Sequence, residues 1–278
     1  MTTVDEINNV LTEFSKKIDE LHDTPAEVDR NFDTAAIVLA SREGMVLGVP
    51  GQIVGGIYGA ITNDDFSGYL GNHREEIKNK ITELLNELST AIKGTKAPIA
   101  FVQTSGYWLD LKGKIGEAQN DGVVTGNTLA YWTGGAADKY NQSRLTQDIA
   151  MDSAKTACDT LHTSLAAIAT SSWEFYTDIV KELSGYLIDF GASVTKIATG
   201  IGAPWAISDI IDLLAKIIKS VIDLGKKLGK VLIEQKVNID KINGATDHPK
   251  GFVNNKWPQS ASTDFDTGRP DDDQWKAK

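Results

Sequence analysis

Through most of the 278-residue chain, apolar residues recur at alternating spacings of three and four, the period of a helix with one buried stripe. Near the start, Val4, Ile7, Leu11, Phe14, Ile18 and Leu21 form such a stripe, and Thr3 with Glu6 makes a capping box at its head. The spacing predicts a helix over 3–22, which Asp23-Thr24-Pro25 should end, with Pro25 opening a second helix. A third runs over 67–93 with Tyr69, Ile77, Ile81, Leu84, Leu85, Leu88 and Ile92 on one side and charges on the other. Phe101, Val102, Trp108, Leu109 and Ile115 continue the pattern over 99–119, and Asn120-Asp121-Gly122 reads as a turn. The longest segment, 136–190, should turn Tyr140, Ile149, Ala154, Cys158, Leu161, Leu165, Ile168, Trp173, Tyr176, Val180, Leu183 and Leu187 inward. The last has the clearest heptad seam, Ile210, Leu214, Ile217, Val221, Leu224 and Leu228, with Ser208 as N-cap and Lys226, Lys227 and Lys230 near its negative end. That seam serves either the intramolecular bundle or self-association, and so marks a candidate oligomer or partner surface.

Three stretches interrupt this texture. Gly44 to Asn63 is twenty residues without a charge, long enough in principle to cross a hydrocarbon layer of ~30 Å. Val46, Val49, Ile53, Val54, Ile57 and Ile61 are its candidate membrane residues. Six glycines and Pro50 disfavour one continuous helix, so a buried hairpin or close-packed turn is the reading taken, with insertion as the alternative. Gly191 to Pro204 is a second glycine-bearing apolar stretch. Beyond about Asp240 aliphatics become sparse, and a mobile tail over 240–278 is expected.

Between the 99–119 and 136–190 segments lies Tyr131-Trp132-Thr133-Gly134-Gly135-Ala136-Ala137-Asp138-Lys139-Tyr140. A glycine pair permits a sharp backbone reversal, and the indole of Trp132 can fold over it where two antiparallel helices meet. Ala136, Ala137 and Tyr140 would then face inward. This string resembles the Trp-x-Gly helical-hairpin proteins of type VII (ESX) secretion, nearest to the EspA-type and EspE-type secretion-associated proteins. The motif residues are Trp132, Gly134, Ala137, Asp138 and Tyr140; outside 132–140 the likeness, from about Gly44 to Ile233, is one of order and texture. The expected fold is all-α: an elongated helical bundle on a Trp-x-Gly hairpin, one domain over 1–239 (segments 3–66, 67–190 and 191–239) followed by the tail. The resemblance implies export without a cleavable signal peptide to the surface or medium, homo-oligomerisation, and pairing with a small Trp-x-Gly hairpin partner. The family's export signal, a tyrosine followed four residues later by an acid, is absent after the hairpin: Tyr140 reaches Arg144, Tyr176 reaches Val180 and Tyr186 reaches Phe190. Either the partner carries the signal or this chain is not itself addressed.

Composition narrows the chemistry. Twenty-eight basic against 38 acidic residues leave a net charge of −10 and no surplus to neutralise phosphates, which argues against nucleic acid. The single cysteine, Cys158, forms no internal disulfide and reads as a small buried apolar residue. His22, His73, His162 and His248 are scattered, with no metal spacing, phosphate loop or nucleophile elbow. No catalytic residue, metal site or cofactor is assigned. The N-terminus has neither a basic region nor an apolar core, so no classical signal peptide is expected. Three functions are weighed: a type VII secretion-associated assembly protein, which is what the resemblance implies; a membrane-active, α-helical pore-forming protein using the glycine-rich segments; or a plain coiled-coil scaffold that is not exported.

Overall fold

The computed structural model describes residues 2–46, 63–125, 131–199, 203–247, 250–252, 254 and 256–258. The protein is all-α, with no strand among these residues: α1 is Val4–Val46, α2 Asn63–Lys93, α3 Ala97–Thr125, α4 Gly135–Ala198 and α5 Ala203–Asp247. Where one domain was expected, the packing divides into two compact units. Among the described residues, those of 2–99 and 170–230 form a four-helix unit and those of 100–169 and 231–258 a three-helix unit. The helices α4 and α5 each supply a segment to both.

The four-helix unit is built on heptad seams. Ile7, Leu11, Phe14, Ile18, Leu21, Val28, Phe32 and Ala35 are buried along α1, and Ile77, Ile81, Leu84 and Leu88 along α2. Tyr176, Ile179, Leu183, Tyr186, Phe190, Val194 and Ile197 do the same on α4, and Ile207, Ile210, Leu214, Ile217 and Val221 on α5. Spacings of three and four keep each seam on one helix face, so four stripes meet in one apolar core. Each fully buried aliphatic side chain contributes roughly 1.5–3 kcal/mol relative to exposure. Across α1 and α2, Arg74 Nη1 donates to Asp33 at 2.9 Å and Arg74 Nε to Asp29 Oδ1 at 2.6 Å, and Lys78 one turn on also reaches Asp29, so numbers fall on α1 as they rise on α2 and the two helices are antiparallel. Burial acts to raise the Asp29 carboxyl, but hydrogen bonds from Arg74 and Lys78 outweigh it and hold it below the usual carboxylate range.

The capping box forms as expected: Thr3 N–H donates to Glu6 at 2.8 Å and Glu6 N–H to Thr3 Oγ1 at 3.2 Å. Pro25, in contrast, does not divide α1. A proline inside a helix removes the N–H that would reach the carbonyl four residues back. Here that acceptor is the Leu21 carbonyl, and the buried Thr24 hydroxyl donates to it at 2.7 Å. The orphaned group is satisfied within the same turn, and the seam passes through. Replacing Thr24 by valine keeps the shape and removes the donor; urea unfolding should register a loss of about 1–3 kcal/mol.

Other helix ends also moved. Asn120-Asp121-Gly122 lies inside α3, where Thr125 Oγ1 bonds back to the Asp121 carbonyl. The α4 helix runs through Gly191 to Ala198 because Val194 and Ile197 extend the buried seam; that burial exceeds the ~1 kcal/mol a helical glycine costs. Ser208 is not an N-cap but lies inside α5, which begins at Ala203 with Pro204 in its first turn, where no intrahelical hydrogen bond is lost. At its other end α5 passes Asp240 and reaches Asp247.

Candidate functional site

In the three-helix unit, α3 and α4 are held by paired polar side chains. Lys112 bonds Asp159, Gln119 meets both Asp152 and Lys155, and Arg144 donates to the Gly122 carbonyl. Residue numbers in these pairs rise on α4 as they fall on α3, so the two helices are antiparallel. The lysine contacts hold the carboxyls of the exposed Asp152 and the half-buried Asp159 below their ordinary range.

The Trp-x-Gly string stands at the entrance to α4. Gly134 has φ of 104°, a left-handed conformation that side chains resist, and its carbonyl accepts the Asp138 N–H at 3.0 Å to close the first turn. Asp138 lies in that turn, at the positive end of the helix. Ala137 is buried, while Tyr140 and Trp132 are half-buried with ring centroids 5.5 Å apart. The indole thus folds back over the opening of α4. Replacing Gly134 by alanine should cost about 1–2 kcal/mol for the backbone alone. Gly135→Ala, at ordinary φ with open space around the added carbon, should be neutral or slightly stabilising; thermal unfolding of the pair separates the two.

Ser105 and His162 form the buried polar centre of this unit. His162 Nδ1 stands 3.0 Å from the Ser105 carbonyl and 2.9 Å from its hydroxyl, and the hydroxyl lies 3.2 Å from the His162 carbonyl. With ring N–H and hydroxyl each donating to the other residue's backbone, the pair ties α3 to α4. Nδ1 is then no base toward the hydroxyl, and both side chains are shut from solvent. Cys158 is buried, and burial pushes its thiol up, away from the reactive thiolate. Among the described residues no group of histidine, cysteine and carboxylates is placed to hold a metal ion.

Ile149 corrects the expected inward face of α4: it is 48% exposed, and the neighbouring Ala150 is fully buried. The cause is a segment beyond α5 that local periodicity does not reveal. Gly251 lies against Thr146 and Ala150, Gln147 donates to the Pro258 carbonyl at 3.0 Å, and Phe252 meets Trp257 edge-on at 5.8 Å. A small residue is needed there. Part of the expected tail therefore packs on α4; residues 259–278 lie outside the described residues.

The six seam residues of α5 divide. Ile210, Leu214, Ile217 and Val221 are buried in the core of the four-helix unit, whereas Leu224 and Leu228 are half-buried. Four of the six are consumed by the chain's own packing. Of the candidate membrane residues, Val46 closes α1, while Val49, Ile53, Val54, Ile57 and Ile61 lie outside the described residues. No described helix is long and apolar enough to cross a membrane.

The three-helix unit leaves a number of apolar side chains in water, Leu109, Val123, Val124 and Leu232 among them. Each helix exposes one pair at i, i+4: Tyr107 and Leu111 on α3, Leu145 and Ile149 on α4, Ile233 and Val237 on α5, all between 41 and 71% exposed. Residues four apart share a helix face. Inward positions of the same helices, such as Trp108, Ile115 and Val231, are only half-buried. Comparison of the chain with protein-family models, with curated proteins and with solved structures finds no match.

Proposed function

We propose that this protein is a non-enzymatic assembly component of type VII secretion, exported to the cell surface or medium, in which the three-helix unit takes up further helices from a second copy or from a small helical-hairpin partner. The observation that carries the assembly reading is the set of three exposed i, i+4 apolar pairs. One exposed aliphatic residue is ordinary on a protein surface, but a matched pair on each of three helices is what a knobs-into-holes neighbour covers. Half-buried inward positions support the same reading, since a further helix would complete their burial. The type VII part rests on the resemblance carried by Trp132 to Tyr140, and on Gly134 and Trp132 lying in the link before α4.

Light scattering and sedimentation across a concentration series, with and without a co-expressed hairpin protein, test the reading. The wild-type chain should form a defined larger species, and the double variant Leu145→Glu, Ile149→Glu should weaken it by at least tenfold while leaving the helical content unchanged. A wild type that stays monomeric under both conditions contradicts assembly. Unchanged export after inactivation of the type VII system in the producing cell contradicts the secretion part separately.

A further inference from the structure

The strap made by residues 250–258 crosses α4 where a further helix would seat. From Gly106 to Thr125 no residue of α3 is buried, and on α4 between Gly135 and Ala157 only Ala137 and Ala150 are. This end of the antiparallel pair has almost no core of its own. On α4, Gln147, Ala150, Ala154 and Cys158 follow at spacings of three, four and four, so they share one face, which deepens into the buried Cys158. Gly251 closes that face: a Cβ on it would overlap backbone atoms of Thr146 and Ala150, and Gln147 is tied to the Pro258 carbonyl. Packed helices lie with their axes about 8–10 Å apart, which leaves no room between them for a chain in contact with the backbone of one. Strap and helix therefore exclude each other here.

The strap is lightly held. Gly251 and Asn254 take left-handed φ of 83° and 55°, and the Phe252 and Trp257 rings meet each other edge-on at 5.8 Å, so part of its packing is with itself. Such a segment opens readily, because little burial on the helices is given up when it leaves. We propose that residues 250–258 are an autoinhibitory strap: docked, they close the Gln147–Ala150–Ala154 face of α4, and a helix of the assembling partner takes that face only once the strap leaves. The inference rests on the assembly reading and adds which chains are competent for it. The exposed apolar pairs are open in every chain, whereas this face is open only in the fraction whose strap is undocked. Apparent affinity for the partner is reduced by that fraction.

The test is sedimentation of the full chain across a concentration series, paired with trypsin cleavage after the exposed Lys250 and Lys256. Gly251→Ala, which forces the strap off, should assemble at a concentration at least roughly tenfold below that of the wild type, and Phe252→Ala should move the same way by less. Because the strap lies beyond the last helix, circular dichroism should show both variants folded. As the wild type assembles, cleavage after Lys250 and Lys256 should accelerate, since the incoming helix displaces the strap. Assembly of both variants at the wild-type concentration overturns the inference, as does a strap that stays protected in the assembled wild type; in either case assembly itself stands. Absence of a larger species from the wild type and both variants overturns the two together.

Discussion

Replacement of Phe14 by alanine should destabilise the four-helix unit by about 3–5 kcal/mol, seen as a lowered midpoint in urea or thermal unfolding. Phe14 is 1% exposed and meets the Tyr176 ring edge-on, a geometry that adds about 0.5–1.5 kcal/mol beyond the area buried. The neighbouring ring cannot readily move to fill the space, because Tyr176 Oη donates to the Ala91 carbonyl at 2.7 Å and so fastens α4 to α2. Burial raises that phenol to about 12, so it stays protonated and donating through the neutral range. Phe14→Leu, which retains most of the volume, should lose less than about 1.5 kcal/mol. Equal losses from the two variants would mean that the cavity is not the cause.

Gly251→Ala should detach the segment 250–258 from α4. The glycine has φ of 83°, and an added Cβ would stand 2.7 Å from the Ala150 Cα and 2.8 Å from the Thr146 carbonyl oxygen, both backbone atoms of a helix. Neither the strained φ nor the overlap can be relieved by a rotamer change, and together they should cost about 2–4 kcal/mol. That is set against one hydrogen bond from Gln147, worth about 0.5–1.5 kcal/mol, and the docking of Phe252, Pro258 and the partly exposed Trp257. The segment should therefore spend far more time detached than in the wild type. The readout is limited proteolysis: cleavage near 250–258 should accelerate strongly while the helical signal of the chain stays unchanged. Wild-type cleavage rates in the variant would show that the contact is not maintained in solution.

These two sites differ in how visible they are in the sequence. Phe14 belongs to a stripe of threes and fours, and so do the seams of α2 and the first half of α5, where burial follows the period. Periodicity fails where a polar group substitutes for a backbone partner or where distant segments meet. Pro25 reads as a helix boundary because nothing in local spacing says that the Thr24 hydroxyl will take the Leu21 carbonyl. The inward face of α3 is hard to read because one of its buried positions is Ser105, made compatible with burial by His162 on another helix. Ile149 reads as core because the segment that selects Ala150 instead lies a hundred residues away. The glycine bend is legible from Gly134 alone, since its positive φ is a demand that few other residues meet. The exposed pairs on α3, α4 and α5 are not, because an apolar side chain at helical spacing looks the same whether its own chain or another covers it.

The central claim is that those pairs are covered by another helix when the protein assembles. A nitroxide placed at position 149, as Ile149→Cys on a Cys158→Ala background, tests it most directly, because the native cysteine is buried and its removal leaves a small apolar residue. As the protein assembles, the label spectrum should change from mobile to immobilised, at the same concentration at which light scattering records the larger species. A label that remains fully mobile in the assembled species would contradict the account.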